Sequence, residues 1–475
     1  GGRDLGRAAG DRPAGRRPNF LLFITDQQRA DHLGCYGNRD VATPNIDALA
    51  AGGCAFDDFH VATPICQPNR ASLMTGRLPS SHGLLLNGRE LSFGETTFID
   101  VLRQAGWRTA LVGKSHLQNI TGLPPVWPTA AERLPRDARH PFPGIYGQEN
   151  AKRWASDDTF DLTLPYYGFE HVSLTIGHGD QQQGHWRRWL REQVADADAL
   201  IGPENAIPTP GLALGPLRQA WRTRLPEELH PTHWIAAQTC AQLRDFAGRD
   251  QPFFLQCSFP DPHHPFTPPG RYWDMHRPQD VTLPASFAAR LEDPPPPIEW
   301  LHRQRRQQPA GAVGYATFSC TEQEAREALA LNYGNIAFID HAVGSVMAQL
   351  EALGLADDTV VMFTSDHGDL LGDRGLMFKG GLHYSALTRV PFVWRDTPAQ
   401  RRPMRSAALA QTIDIAPSIL QRAGLPPLHG MQGRSLVPVA KGSRTGVRDL
   451  LLIEEEGPRH DFGLDARLRM RTLRT

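Results

Sequence analysis

The sequence predicts an α/β fold, a doubly wound, mixed but mostly parallel sheet flanked by helices, and three observations lead to it. Five short apolar runs, Phe20–Thr25, Thr109–Val112, Phe253–Phe259, Thr359–Thr364 and Pro391–Trp394, have the length and composition of buried parallel strands. Helical segments lie between them, the alternation that parallel strands need for their crossovers. At 475 residues, 40% hydrophobic and 21% charged, the chain has the apolar mass for one large core with insertions.

Taken in order, residues 1–18 are rich in Gly, Arg and Ala, lack the apolar stretch of a secretory signal, and read as a flexible tail. After the first strand, Thr43-Pro44 is an N-cap followed by proline, and Gly52-Gly53 stops that helix. A second helix runs from about Thr97 to Gly106. The longest opens on Thr321-x-x-Glu324, a capping-box pattern, and continues to Gly354. Within it Tyr333, Ile336, Ile339, Val343, Val346 and Leu350 recur at helical spacing and read as core contacts. Two regions break the alternation. Residues 118–230 are rich in Pro, Gly, Trp and His and read as a large insertion. Residues 282–318, with Pro294-Pro295-Pro296-Pro297 and several Arg, read as an exposed excursion. Long irregular insertions in compact domains tend to be lids or binding loops. Residues 19–440 thus make the main α/β domain. Beyond it the pattern restarts with Leu450-Leu451-Leu452-Ile453, followed by charged residues.

Composition excludes several function classes. A formal net charge of −1 argues against a general binder of nucleic acid or of a membrane surface, so any anion recognition must be local. No apolar run reaches the roughly 18 residues that a membrane span requires. The six cysteines, at 35, 54, 66, 240, 257 and 320, have no paired spacing and fit reduced thiols. A cytoplasmic location follows, or a periplasmic one where a signal peptide has been removed.

Chemistry concentrates at the ends of the strands, where open α/β sheets bind ligands. The first strand ends in Asp26-Gln27-Gln28-Arg29, and the second leads to Lys114-Ser115-His116. The third leads through Asp261 to His263-His264, and the fourth ends in Ser365-Asp366-His367-Gly368-Asp369. Asp26, Asp366, His367 and the amide oxygen of Gln27 suit one divalent metal, a hard cation such as Ca²⁺, Mg²⁺ or Mn²⁺. The imidazole tilts the choice toward Mn²⁺, and two Asp with one His also suit Zn²⁺. Separately, Cys66-Gln67-Pro68-Asn69-Arg70 opens a short helix that Gly76 closes. Cys66 then faces the free N–H groups of the helix start, and Arg70, one turn on, points the same way.

The run Cys-x-Pro-x-Arg-Ala-Ser-x-x-Thr-Gly-Arg, residues 66–77, resembles the signature of the type I sulfatases of the alkaline phosphatase superfamily. The resemblance covers about residues 18–440. It implies an alkaline-phosphatase-like fold, with 441–475 starting a small, truncated C-terminal α+β subdomain. It also implies that a formylglycine-generating enzyme oxidises Cys66 to formylglycine before folding hides it, and that Cys66 joins the metal site. Lys114 and His116 match the family's Gly-Lys-x-His segment, and His263 the histidine of Pro-His-x-Pro, with His264 at the variable position. Lys379 matches a lysine before Arg389-Val390-Pro391, and Asn87, in Leu-Asn-Gly, an anion contact. Gln27 stands where many sulfatases have a second Asp, and His367 where many have Asn. Both departures resemble the phosphonate monoester hydrolase branch, whereas Lys114 and His116 side with the sulfatases. His178 and His233 are candidates for lining the substrate pocket, but such residues are more often loop anchors and stay outside the assigned site.

The implied reaction is hydrolysis of a small-molecule sulfate ester, as by an arylsulfatase. Arg70, Lys114 and Lys379 oppose the sulfuryl charge and the hydrated Cys66 aldehyde attacks sulfur. His263, with Lys379, protonates the leaving oxygen, and His116 takes the proton that lets sulfate depart. A phosphonate monoester or phosphodiester hydrolase sharing the site is the alternative. A more distant one is an inactive metal-binding relative in which Cys66 stays a thiol. The alcohol, the ion and the oligomeric state are left open; a homo-oligomer is compatible.

Overall fold

A computed structural model describes residues 17–122, 142–289, 293–307, 317–459 and 467–475. The five expected strands lie in one nine-stranded sheet. In chain order its strands are β1 (Asn19–Thr25), β2 (Cys54–Phe56), β3 (Arg108–Lys114), β4 (His171–Ile176), β5 (Gln183–Gly184), β6 (Phe253–Ser258), β7 (Thr359–Ser365), β8 (Phe392–Arg395) and β9 (Met404–Ser406). Their spatial order is β9-β2-β8-β7-β1-β6-β3-β4-β5. The five strands from β7 to β4 are all parallel. β8 runs antiparallel to β7 and β2, and β5 to β4, so the sheet is mixed.

Alternate residues of β1 explain the double winding, because successive side chains leave a strand on opposite faces. Leu21 and Phe23 belong to one apolar cluster with Tyr333, Ile336 and Ile339 of the helix Glu322–Ala352. Phe20, Leu22 and Ile24 belong to a second, with Phe98 and Leu102 of the helix Phe98–Gln104 and with Ile415 and Ile419 of the helix Ile415–Arg422. Each such buried side chain contributes about 1.5–3 kcal/mol relative to an exposed one. Of the two expected caps, Thr321 accepts from Glu324 N, whereas Thr43 holds the N-cap position without a side-chain cap bond, its hydroxyl donating to Asp47 Oδ1 instead; Thr97, at the start of its helix, accepts from Asp100 N.

Residues 118–230 differ from the expected insertion, because β4 and β5 lie within them and extend the main sheet. β4 pairs parallel to β3 with Val172 opposite Leu111. Its sequence, His-Val-Ser-Leu-Thr-Ile, alternates hydroxyl and aliphatic residues, so it shows no continuous apolar run. The excursion at 282–318 is partly anchored: Ile298 and Leu301 of the helix Pro296–Gln307 cluster with Leu370, Leu376 and Leu387. The expected tail lies almost wholly outside the described residues. The C-terminal stretch supplies the β part of the expected subdomain, an antiparallel hairpin of Leu451–Arg459 with Arg467–Arg474. All six cysteines are free. Among the described residues no helix is long and apolar enough to cross a membrane.

Candidate active site

Because β7, β1, β6 and β3 are parallel neighbours, their C-terminal ends share one edge. Asp366, Asp26, Asp261 and Lys114 therefore come together although 340 residues separate the first two in the sequence. The helix Cys66–Thr75 begins at that edge and is buried along its whole length, closed by Gly76 in the left-handed region. Arg70 sits one turn in. Its Nε donates to Asp366 Oδ2 at 2.7 Å, and its Nη1 to the Lys114 carbonyl and Ser258 Oγ at 3.2 and 3.0 Å. Nη2 has no hydrogen-bond partner and lies 3.8 Å from Asp26 Oδ2.

Cys66 is enclosed by cations and imidazoles. Its Sγ lies 3.0 Å from Lys379 Nζ and 3.1 Å from His367 Nε2. Burial and Asp26 push the thiol up, but Lys379, His367 and Lys114 together outweigh them and hold it below its usual value. Lys379 Nζ also donates to Gln27 Oε1 at 2.6 Å and meets His263 Nε2 at 2.9 Å. Lys114 pairs with Asp26 and meets His178 Nε2 at 2.7 Å. Burial lowers both His263 and His116, helped by His178 and Lys379 at the first and by Lys114 and Arg70 at the second. Both are neutral imidazoles at ordinary pH.

The adjacent histidines part company. His263 turns to Lys379, while His264 pairs with Gln27 Nε2 at 3.0 Å and stacks on Phe378 at 3.5 Å. His178, read as a loop anchor, instead joins the site, its ring stacked on His263 at 3.7 Å and its Nε2 3.5 Å from Asp26 Oδ2. It follows β4, so recognising that strand would have found it as a fifth strand end. His233 is exposed on the helix Pro231–Ala247. Asn87 is also exposed, and its Oδ1 accepts from Gln67 N at 3.1 Å. That bond satisfies a free N–H at the start of the helix that carries Cys66.

Asp26, Cys66, Asp366 and His367 each offer one ligand atom, all buried and all within 4.8 Å of one another. Asp26 Oδ1 is buried without a hydrogen-bond partner. His367 Nδ1 lies 2.8 Å from the Gly368 carbonyl, which can only accept, so Nδ1 carries the proton and Nε2 is directed to the cluster. Two carboxylates, one of them with an unpaired oxygen, fit a divalent cation. The Gln27 amide oxygen accepts from Lys379, and its Nε2 meets Asp369 and His264. Its backbone N–H, presented by a left-handed φ of 63°, donates to Asp366 Oδ1 at 3.1 Å.

Just after β6, Asp261 accepts from Thr232 at one oxygen while the other is buried and unpaired. Burial pushes its carboxyl up from 3.8 to about 7. The folded state therefore holds a proton that the unfolded chain releases near pH 4. Through this group, stability is highest below pH 4 and declines as the pH rises toward 7. Asp261→Asn is expected to lose that decline, so urea unfolding at pH 5 and pH 7 should show a larger drop for the native chain. Equal slopes would mean that Asp261 titrates alike in both states.

The profile of the sulfatase family matches residues 18–425. The arylsulfatase of Clostridium perfringens is 27% identical over 459 residues, 95% of this chain and 83% of its own. A multifunctional alkaline phosphatase superfamily protein, PehA of Trinickia caryophylli, is 30% identical over 455 residues, 92% of this chain and 80% of its own. Among solved structures, the phosphonate monoester hydrolase of Agrobacterium radiobacter is similar with a TM-score of 0.70 at 27% identity, covering 93% of this chain and 81% of that one. With the match spanning most of its length and the motif residues gathered at one sheet edge, the chain belongs to the sulfatase family.

Proposed function

We propose that the protein hydrolyses a small-molecule sulfate ester, using formylglycine made from Cys66 by a separate generating enzyme and one divalent cation held by Asp26, Cys66, Asp366 and His367. The observation that carries this reading is the placement of Cys66 Sγ between Lys379 Nζ and the carboxylate cluster. A group attacked there meets cations on one side and a metal site on the other. Bound in the cluster, the cation opposes charge on the sulfuryl oxygens and favours an ionised oxygen nucleophile. The geminal diol of the modified residue offers one hydroxyl for attack on sulfur and a second through which sulfate is expelled.

The chain's own residues do the rest. Arg70 Nη2, Lys114 and Lys379 oppose the anionic charge that grows on the sulfuryl oxygens, in a site closed to bulk water. His263 Nδ1 faces the His264 carbonyl and so carries its proton there; its Nε2 faces the Lys379 ammonium. The proton for the departing oxygen thus belongs to the Lys379–His263 pair, not to His263 alone. His116, held neutral, accepts the proton from the second hydroxyl.

The alternative reading, attack at phosphorus in a phosphonate monoester or phosphodiester, is favoured by Gln27 and His367 and by the likeness to the Agrobacterium radiobacter enzyme. Lys114 and His116 favour sulfur. The test is kcat/KM on matched aryl sulfate and aryl phosphonate monoester, with metal-loaded protein made beside a formylglycine-generating enzyme. At least about tenfold preference for the sulfate, or 1.4 kcal/mol in transition-state stabilisation, is expected. The reverse preference would transfer the assignment to phosphorus.

A further inference from the structure

The Nδ1 of His116 is buried without a hydrogen-bond partner, so no bond at that nitrogen orients the ring and its backbone conformation matters the more. That backbone is strained: His116 has φ 57°, a left-handed conformation that costs a non-glycine residue about 1–3 kcal/mol. The end of β3 just before it is equally constrained. Gly113 has φ 103°, and a Cβ there would lie 1.8 Å from the Ser258 carbonyl oxygen of β6. Something must hold the chain as it leaves β3.

One side chain does so. Glu149, from a distant loop and 1% exposed, accepts from His116 N at 2.7 Å through Oε2. Its Oε1 accepts from Leu117 N at 2.9 Å, Gln118 N at 3.1 Å and the Tyr166 hydroxyl at 2.6 Å. Three successive N–H groups turned toward one anion form a nest, and here a carboxylate of the same chain fills it. A buried carboxylate is costly without such donors. The turn and the carboxylate therefore stabilise each other.

The geometry points to Glu149 as the positioning residue of His116: it holds the left-handed turn that sets the imidazole beside Lys114 and Arg70, and acts on the reaction only through that ring. The inference rests on the proposed role of His116 as the base that accepts the second proton.

Glu149→Gln sets an amide donor against backbone N–H donors in the nest. On an aryl sulfate its kcat is expected to fall by between about 10- and 100-fold with KM within about twofold, the signature of a misplaced group rather than lost binding. In a His116→Ala background the same substitution is expected to change kcat no further, because the ring it positions is gone. Tyr166→Phe removes one bond to Glu149 and leaves the three backbone bonds. It carries the same comparison, with a loss of a few fold, where thermal unfolding shows that Glu149→Gln does not fold. An unchanged kcat in Glu149→Gln, or an equal loss in both backgrounds, would overturn the positioning role. A His116→Ala protein with native kcat would overturn the base role of His116 itself. A slow His116→Ala protein that Glu149→Gln slows further would overturn the positioning role alone.

Discussion

Cys66→Ala is expected to reduce multiple turnover of an aryl sulfate by about 10⁴–10⁶-fold, the scale seen when a covalent nucleophile is removed. The fold should persist, because the helix is anchored elsewhere: Asn69 Oδ1 accepts from Ala62 N and Thr412, and Arg70 bridges Asp366 and Ser258. Cys66→Ser gives the sharper result. A single hydroxyl can take a sulfuryl group once but has no second hydroxyl with which to expel it. Intact-mass measurement after substrate addition should show one added sulfuryl group and no further product. Steady turnover by either variant would remove formylglycine from the mechanism.

Arg70→Met should carry the second large effect, this time on stability. The guanidinium is 1% exposed and Asp366 and Asp26 are fully buried beside it. Removing one partner of a buried ion pair leaves an uncompensated charge, at a cost of about 3–5 kcal/mol. A divalent cation in the same cluster supplies part of the missing positive charge. The loss should therefore be largest in protein stripped by a chelator and smaller at saturating Ca²⁺ or Mn²⁺, read from denaturant midpoints under both conditions. A loss below about 1 kcal/mol in both would reduce the pair to the weight of a surface salt bridge.

The strands that built the site were legible because central parallel strands are apolar on both faces, as Phe20–Thr25 and Thr359–Thr364 are. β4 was not, since alternating Ser173 and Thr175 break its apolar run. That one omission also hid His178 at its end. Residue order told which groups would meet but not how they would share partners. The Gln27 oxygen takes Lys379 as its partner, and the Asn87 oxygen takes Gln67 N. Neither preference has a local pattern, because each depends on a partner brought by the fold. Glu149 was equally silent: nothing in its neighbours marks a carboxylate that will fill a backbone nest over 30 residues away.

The position of β1 between β6 and β7 sets a clock. Its five paired residues on one side come from Phe254–Ser258 and its partners on the other from Thr359–Ser365. The central sheet cannot close until residue 365 has been synthesised, roughly 300 residues after residue 66. At about 5–20 residues per second that interval is roughly 15–60 seconds. During it the strand β7 that completes the parallel core beside the Cys66 helix is missing, whereas in the folded protein every residue of that helix is buried. Any enzyme that oxidises Cys66 therefore competes against translation speed and not against the stability of the finished fold. Slowing elongation downstream of residue 77 would raise the modified fraction without altering a single residue of the site.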